Sequence, residues 1–170
     1  ETAYSIFETK PYLWGSFVWN MFDFGSDGRD EGGVKGRNNK GLVTFDRKIR
    51  KDAFYFYQAK WSNLPVLHLC SKRFEERVNK DVIIKAYSNL GHVSFYHQGN
   101  QINQMKQEHV IYEMHISLDP GKNVITVESQ GHKDSMIINH VVQATKTYEV
   151  PVTDDTNVIN WFNEVIKIHS

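Results

Sequence analysis

Trp14-Gly-Ser-Phe-Val-Trp-Asn-Met-Phe-Asp-Phe24 is the stretch that decides how this 170-residue chain reads. Residues Leu13 to Phe22 are too uniformly apolar for a half-exposed strand. They suit a strand covered on both faces, as in a parallel α/β sheet. Upstream, Ala3, Ile6 and Phe7 recur at helical spacing and stop before Pro11, since a residue preceding proline resists helix. Downstream, residues 25–41 are polar and hold six of the chain's eleven glycines. A loop of that length in a compact domain is usually functional. Leu42-Val-Thr-Phe45 reads as a short extended piece, and Asp52 to Lys60 as a helix. The apolar residues of that helix (Ala53, Phe54, Phe56, Tyr57, then Trp61) cover much of its circumference, as on a helix packed between neighbours.

The texture changes at Ser62-Asn63-Leu64-Pro65. Beyond it lie short β-rich runs: Val66–Cys70, Val82–Ser88, Val93–His97, Val110–Leu118, Asn123–Ser129 and Met136–Val142. Many alternate, with Ile84 and Ala86 set against Lys85 and Tyr87. Turn signals at Asn89 to Gly91, Gly99-Asn100, Asp119 to Gly121 and Gly131 separate them. Strands at this spacing read as an antiparallel β-sandwich. The expected organisation is therefore residues 1–63, a sandwich over 64–145, and a tail over 146–170 that docks by Trp161 and Phe162.

Composition excludes several classes. Twenty basic and twenty acidic side chains leave no net charge, which argues against a nucleic-acid or polyanion binder. No apolar run approaches the ~20 residues of a membrane helix. Cys70 is the only cysteine, so no internal disulfide can form. The eight histidines show neither HExxH nor Cys/His zinc spacing. They read as exposed strand or turn residues, and no metal centre and no cofactor is expected. Gly32-Gly33 and Gly36 do not form a phosphate loop. Glu1-Thr2-Ala3 has neither an initiator Met nor a signal-peptide pattern. The chain reads as the C-terminal piece of a longer protein.

Trp14-Gly15, Phe17-Val-Trp-Asn20, Phe22-Asp-Phe24, Asn38-Asn-Lys-Gly-Leu-Val43, Asp46-Arg-Lys48 and Lys51-Asp-Ala-Phe-Tyr-Phe-Tyr57 occur in that order. Together they resemble the end of the catalytic barrel of family 2 glycoside hydrolases, the group of β-galactosidases, β-glucuronidases and β-mannosidases. Ala86-Tyr-Ser-Asn89, Val93-Ser-Phe-Tyr96, Gly99 and Pro120-Gly-Lys-Asn123 more weakly resemble the immunoglobulin-like domain that follows the barrel in many bacterial members. His97-Gln98 stands where Leu-Asn is usual. The resemblance implies that Leu13 to Phe22 is the eighth strand of a (β/α)8 TIM barrel and Lys51 to Lys60 its eighth helix. The loop 25–41 would then sit at the C-terminal face, where such barrels place their active sites. It also favours a periplasmic or secreted enzyme.

Retaining glycosidases use two carboxyl groups about 5 Å apart. In this family both are glutamates from the fourth and seventh strands, upstream of everything present here. Glu1, Glu8, Asp23, Asp27, Asp30 and Glu31 match neither position, so no catalytic carboxylate is expected in the chain. Asn20 and Asp23 read as loop-ordering groups. The resemblance implies three substrate contacts: Trp19 as the floor under a sugar ring, and Asn38 and Lys40 from the loop. Trp14 and Trp61 read as packing residues. The Asn-x-Lys spacing matches a pattern that in β-glucuronidases contacts the sugar carboxylate, and related sequences occur in β-galactosidase-like members. In the large type of β-galactosidase an Asn that helps hold sodium replaces Lys40, so no sodium site is expected. The implied parent is a retaining β-galactosidase whose partner is a carbohydrate, with this chain inactive alone. A β-glucuronidase, or a non-catalytic carbohydrate-binding or spacer sandwich displaying Tyr87, Tyr96 and Tyr112, are the alternatives. One strand and one helix cannot close a barrel, so self-association or association with the rest of the barrel would have to cover their apolar faces.

Overall fold

The structure is a computed structural model that describes residues 1–29, 31–103 and 105–149. Two compact units emerge, one containing Glu1–Lys51 and the other Asp52–Tyr148. The expected docking of Trp161 and Phe162 lies outside the described residues. No helix among those residues is long and apolar enough to cross a membrane.

In the first unit, α1 (Thr2–Glu8) buries no residue. β1 (Phe24–Gly25) pairs antiparallel with β2 (Arg37–Asn38), so the glycine-rich loop is a closed excursion from a two-stranded ladder. A single 3-10 turn, Glu31–Gly33, lies within it. The expected strand over Leu13 to Phe22 does not form as a ladder, and Phe22 makes only an isolated parallel bridge to Val43. Nor is the run covered on both faces, since Trp14 and Phe17 are almost fully exposed. The reason is the backbone's demand for partners. Among the described residues, Leu42 and Val43 donate N–H bonds to the end of this run, at the carbonyls of Asn20 and Met21.

In the second unit, α2 (Asp52–Trp61) precedes a β-sandwich. One sheet orders β3 (Leu67–Leu69), β5 (Asp81–Ser88), β9 (Ile111–Ser117) and β8 (Met105–Glu108). The other orders β4 (Glu76–Arg77), β11 (His132–His140), β10 (Gly121–Ser129), β6 (Ser94–His97) and β7 (Asn100–Ile102). All pairings are antiparallel except β4 with β11.

Period-two patterning builds the core between the sheets. Ile84 and Ala86 of β5, Tyr112, Met114 and Ile116 of β9, and Ile125 and Val127 of β10 all point inward with Leu69 and Phe95. Two hairpins close through two-residue turns with both residues at positive φ, Gln98-Gly99 and Gln130-Gly131. That is the geometry whose twist matches paired strands.

The helix α2 lies in the same compact unit as the sandwich. Phe56 and Ala59 are buried. The Phe56 ring meets Tyr87 with centroids 5.5 Å apart. Tyr87 points away from the sandwich core, yet it is buried because α2 covers that outer face. This also explains the all-round apolar character of the helix.

Candidate functional site

Asp23 organises the first unit. Its carboxylate is buried and accepts the Gly41 N–H at 2.9 Å and the Lys51 ammonium at 2.6 Å. The same ammonium donates to the Asn39 carbonyl at 2.7 Å. The Asp23 carbonyl accepts from Arg47, whose guanidinium also lies over the Phe22 ring at 4.3 Å. Gly41 is required by space. A Cβ there would stand 2.1 Å from the Asp23 nitrogen and 2.1 Å from the Phe22 carbonyl carbon. The role expected of Asp23, ordering the loop, is thus visible in its bonds.

The three expected contact residues fall on this frame, in different states. Trp19 is 73% exposed and touches the Phe24 ring edge-on at 6.2 Å. Phe24 sits opposite Asn38 in the β1–β2 ladder. Asn38 is only 5% exposed, and its Oδ1 accepts the Lys40 N–H at 3.1 Å. Its amide oxygen therefore shapes the turn that presents Lys40. The Lys40 side chain is about half exposed (48%) and its ammonium lies 3.0 Å from Glu31 Oε1. Glu31 also accepts the Asn39 N–H at 2.8 Å, and Arg29 stands 3.4 Å away. Burial pushes the Glu31 carboxyl up, but the Asn39 N–H, Lys40 and Arg29 outweigh it and hold it below the usual carboxylate range. Sequence reading named Lys40 without the carboxylate that neutralises it. Glu31 lies nine residues upstream, and only the loop's closure brings the two together.

The sandwich alters two further expectations. Tyr87 and Tyr112 are buried, so they form no aromatic platform. Tyr112 donates its hydroxyl to the Gly91 carbonyl and accepts from Gln107, and burial raises its pKa. Tyr96 alone of the three borders a shallow surface groove, beside His92, Glu128 and Lys133.

His68 is not an exposed strand histidine either. It is buried, stacks on Tyr55 at 3.7 Å, and sets Nε2 2.9 Å from Asp52 Oδ1. Asp52, His68 and Cys70 each offer a ligand atom within 4.8 Å of the others. The available signal was the His-x-Cys spacing on a strand, which puts both side chains on one face. Asp52 is distant in sequence and enters only because α2 packs there.

No family model matches the chain. Over 133 residues it is 39% identical to the β-glucuronidase of Bacteroides fragilis, covering 76% of this chain and 19% of that protein. The FMN-binding β-glucuronidase of Facaelibacterium prausnitzii L2-6 superposes with a TM-score of 0.79 at 43% identity, over 86% of this chain and 23% of that one. A putative β-galactosidase from Bacteroides fragilis superposes with a TM-score of 0.79 at 35% identity, over 86% of this chain and 23% of that one. The chain spans about a fifth of the length of these glycosidases, and its likeness to them runs through both its compact units.

Proposed function

We propose that this chain is part of a retaining β-glucuronidase of the family 2 type. In that reading Trp14 to Phe24 is one stave of a TIM barrel, and the loop 25–41 is one wall of its sugar site. The carrying observation is the Lys40 ammonium. It projects half-exposed from a turn fixed by Asn38, and it already engages a carboxylate, that of Glu31. A uronate carboxylate is the same chemical group, and it would take the place of Glu31 on the ammonium in a charge-assisted bond. Glucuronidase names among the relatives support putting the uronide ahead of the galactoside that the sequence alone placed first. The two glutamates of the reaction would come from outside this chain, which would be inactive by itself.

Replacing Lys40 by Ala in the full-length enzyme tests this. Loss of a hydrogen bond to a charged group is worth about 1.5–3 kcal/mol, so kcat/KM on a nitrophenyl β-glucuronide should fall about 10- to 100-fold. Activity on the matching β-galactoside should hold. An equal loss on both sugars, or none on the uronide, would reject the assignment. The second reading, a β-galactosidase, is favoured by the putative β-galactosidase among the similar structures. It predicts a parent enzyme that prefers the galactoside and is indifferent to Lys40→Ala.

A further inference from the structure

We propose that Asp52, His68 and Cys70 form a zinc-binding site between the start of α2 and the outer face of the β3–β5 sheet edge. The fold makes the site in two steps. Leu67 and Leu69 of β3 face the sandwich core, so His68 and Cys70, displaced by one residue, face outward together. The backbone holds this register. Leu67 opposes Ser88, His68 opposes Tyr87, and the Cys70 N–H donates to the Lys85 carbonyl at 2.9 Å. The first turn of α2 then brings Asp52 over the pair.

The surroundings orient the Asp52 and His68 donors. The Ser71 N–H holds Asp52 Oδ2 at 2.7 Å, leaving Oδ1 directed at His68 Nε2, 2.9 Å away. Tyr55 stacks on the imidazole with the planes 12° apart and fixes the ring's tilt. Such outer contacts tune a metal site as much as its ligands do. His68 and Cys70 are buried, while the Asp52 side chain keeps 41% of its surface, so water can reach one side of the cluster.

The donor set selects the ion. A thiolate, an imidazole and a carboxylate suit zinc, which binds S, N and O ligands together and fills a fourth position with water. Bond lengths near 2.0–2.3 Å put tetrahedral ligand atoms about 3.3–3.7 Å apart. The Nε2–Oδ1 pair would open by a few tenths of an ångström, and the most distant of the three separations, at most 4.8 Å, would close by about 1 Å. Binding displaces one proton, that of the Cys70 thiol, to solvent, while His68 coordinates through Nε2 as a neutral imidazole with its proton on Nδ1. The Asp52 and Cys70 anions then balance the dication, against the longer-range charge of Arg73 near Asp52.

Titrating the reduced 170-residue chain with Co2+ should give one equivalent carrying a near-ultraviolet thiolate-to-cobalt band, which Zn2+ abolishes by displacement. Cys70→Ser should lose the band. That variant, His68→Gln and Asp52→Asn should each weaken zinc binding about tenfold or more in competition with a chromophoric chelator. His132→Gln, an exposed position on β11, should leave it unchanged. Circular dichroism establishes that each variant is folded, and three separate ligand variants keep the test alive if one is not. Absence of the thiolate band from the parent chain overturns the proposal. So does zinc affinity that survives both Cys70→Ser and His68→Gln.

Discussion

Asn123 carries the sharpest stability prediction in the sandwich. Its side chain is fully buried and fully engaged. Oδ1 accepts the Asp119 N–H at 2.8 Å and lies 2.7 Å from His97 Nε2. Nδ2 donates to the carbonyls of Asp119 and Gly121, both at 2.8 Å, and more distantly to Ile138 at 3.4 Å. One amide thus ties the turn before β10 to β6 and to β11. At about 1 kcal/mol net per bond, Asn123→Ala removes four good bonds and strands their partners. Partners near the surface recover water, so the expected loss is about 2–4 kcal/mol, or roughly 10–30 °C in Tm for a unit of this size. Asn123→Asp keeps the shape and should be worse at neutral pH. Its carboxylate would face two carbonyls at hydrogen-bond distance without a proton to donate. Because burial raises the pKa of such a group, the acid form restores one donor, and the deficit relative to Ala should narrow as pH falls. Urea unfolding followed by far-ultraviolet circular dichroism at two pH values reads both effects. An Ala variant within about 1 kcal/mol of the parent, or an Asp variant matching Ala at neutral pH, would refute this account of the amide.

Three further outcomes are expected. Gly41→Ala forces a Cβ into the Asp23 backbone and should cost about 1–3 kcal/mol or more of local order, seen as faster hydrogen exchange at the Gly41 and Asp23 amides. Phe56→Ala empties the space between α2 and Tyr87 and should lower the sandwich unit's stability by about 3–5 kcal/mol in urea. Glu31 has a folded-state pKa below its ordinary value, so its contribution to loop stability is present above the unfolded value and disappears as pH falls through the lowered one. Carboxyl-carbon NMR should show Glu31 titrating below the ordinary glutamate range, and Lys40→Ala should move that midpoint up; an unmoved midpoint would remove Lys40 from the explanation.

Much of the second unit is legible in the sequence because burial there follows a period of two. The alternation of Ile84 and Ala86 with Lys85 and Tyr87 announces β5, and the glycines at 99 and 131 announce tight hairpins. What escapes is polar or short. Met105–Glu108 and Glu76–Arg77 are edge strands with little to bury, and the His109-Val110 turn between β8 and β9 uses a positive φ at His109 without glycine. The first unit reads less well for a different reason. Leu13 to Phe22 has a strand's composition, but composition cannot supply the neighbouring backbone that a ladder needs. The candidate sites divide the same way. Lys40 is found from its neighbours in sequence, whereas its pairing with Glu31 and the meeting of Asp52 with His68 and Cys70 depend on chain closures that no local pattern encodes.

Within residues 19–51, the bonds separate Lys40 from Trp19 in a way that activity can read. The loop's shape comes from partners inside it: Ser26 with Gly36, Arg37 with Arg29, Asp23 with Gly41 and Lys51, and Asn38 with Lys40. Lys40 is therefore placed before any ligand arrives, and its ammonium is a fixed charge already matched to a carboxylate. Trp19 meets the edge of the Phe24 ring and keeps most of its indole exposed. An indole face packs against the C–H face of a sugar without regard to the substituent at its sixth carbon, while an ammonium distinguishes a carboxylate from a hydroxymethyl group. On the proposed assignment, Trp19→Ala in the full-length parent should lower kcat/KM on β-glucuronide and β-galactoside by similar factors, and Lys40→Ala should lower only the first. A Trp19 variant as selective as the Lys40 variant would mean that the two side chains act through one shared contact, and the division between general stacking and charge recognition would fail.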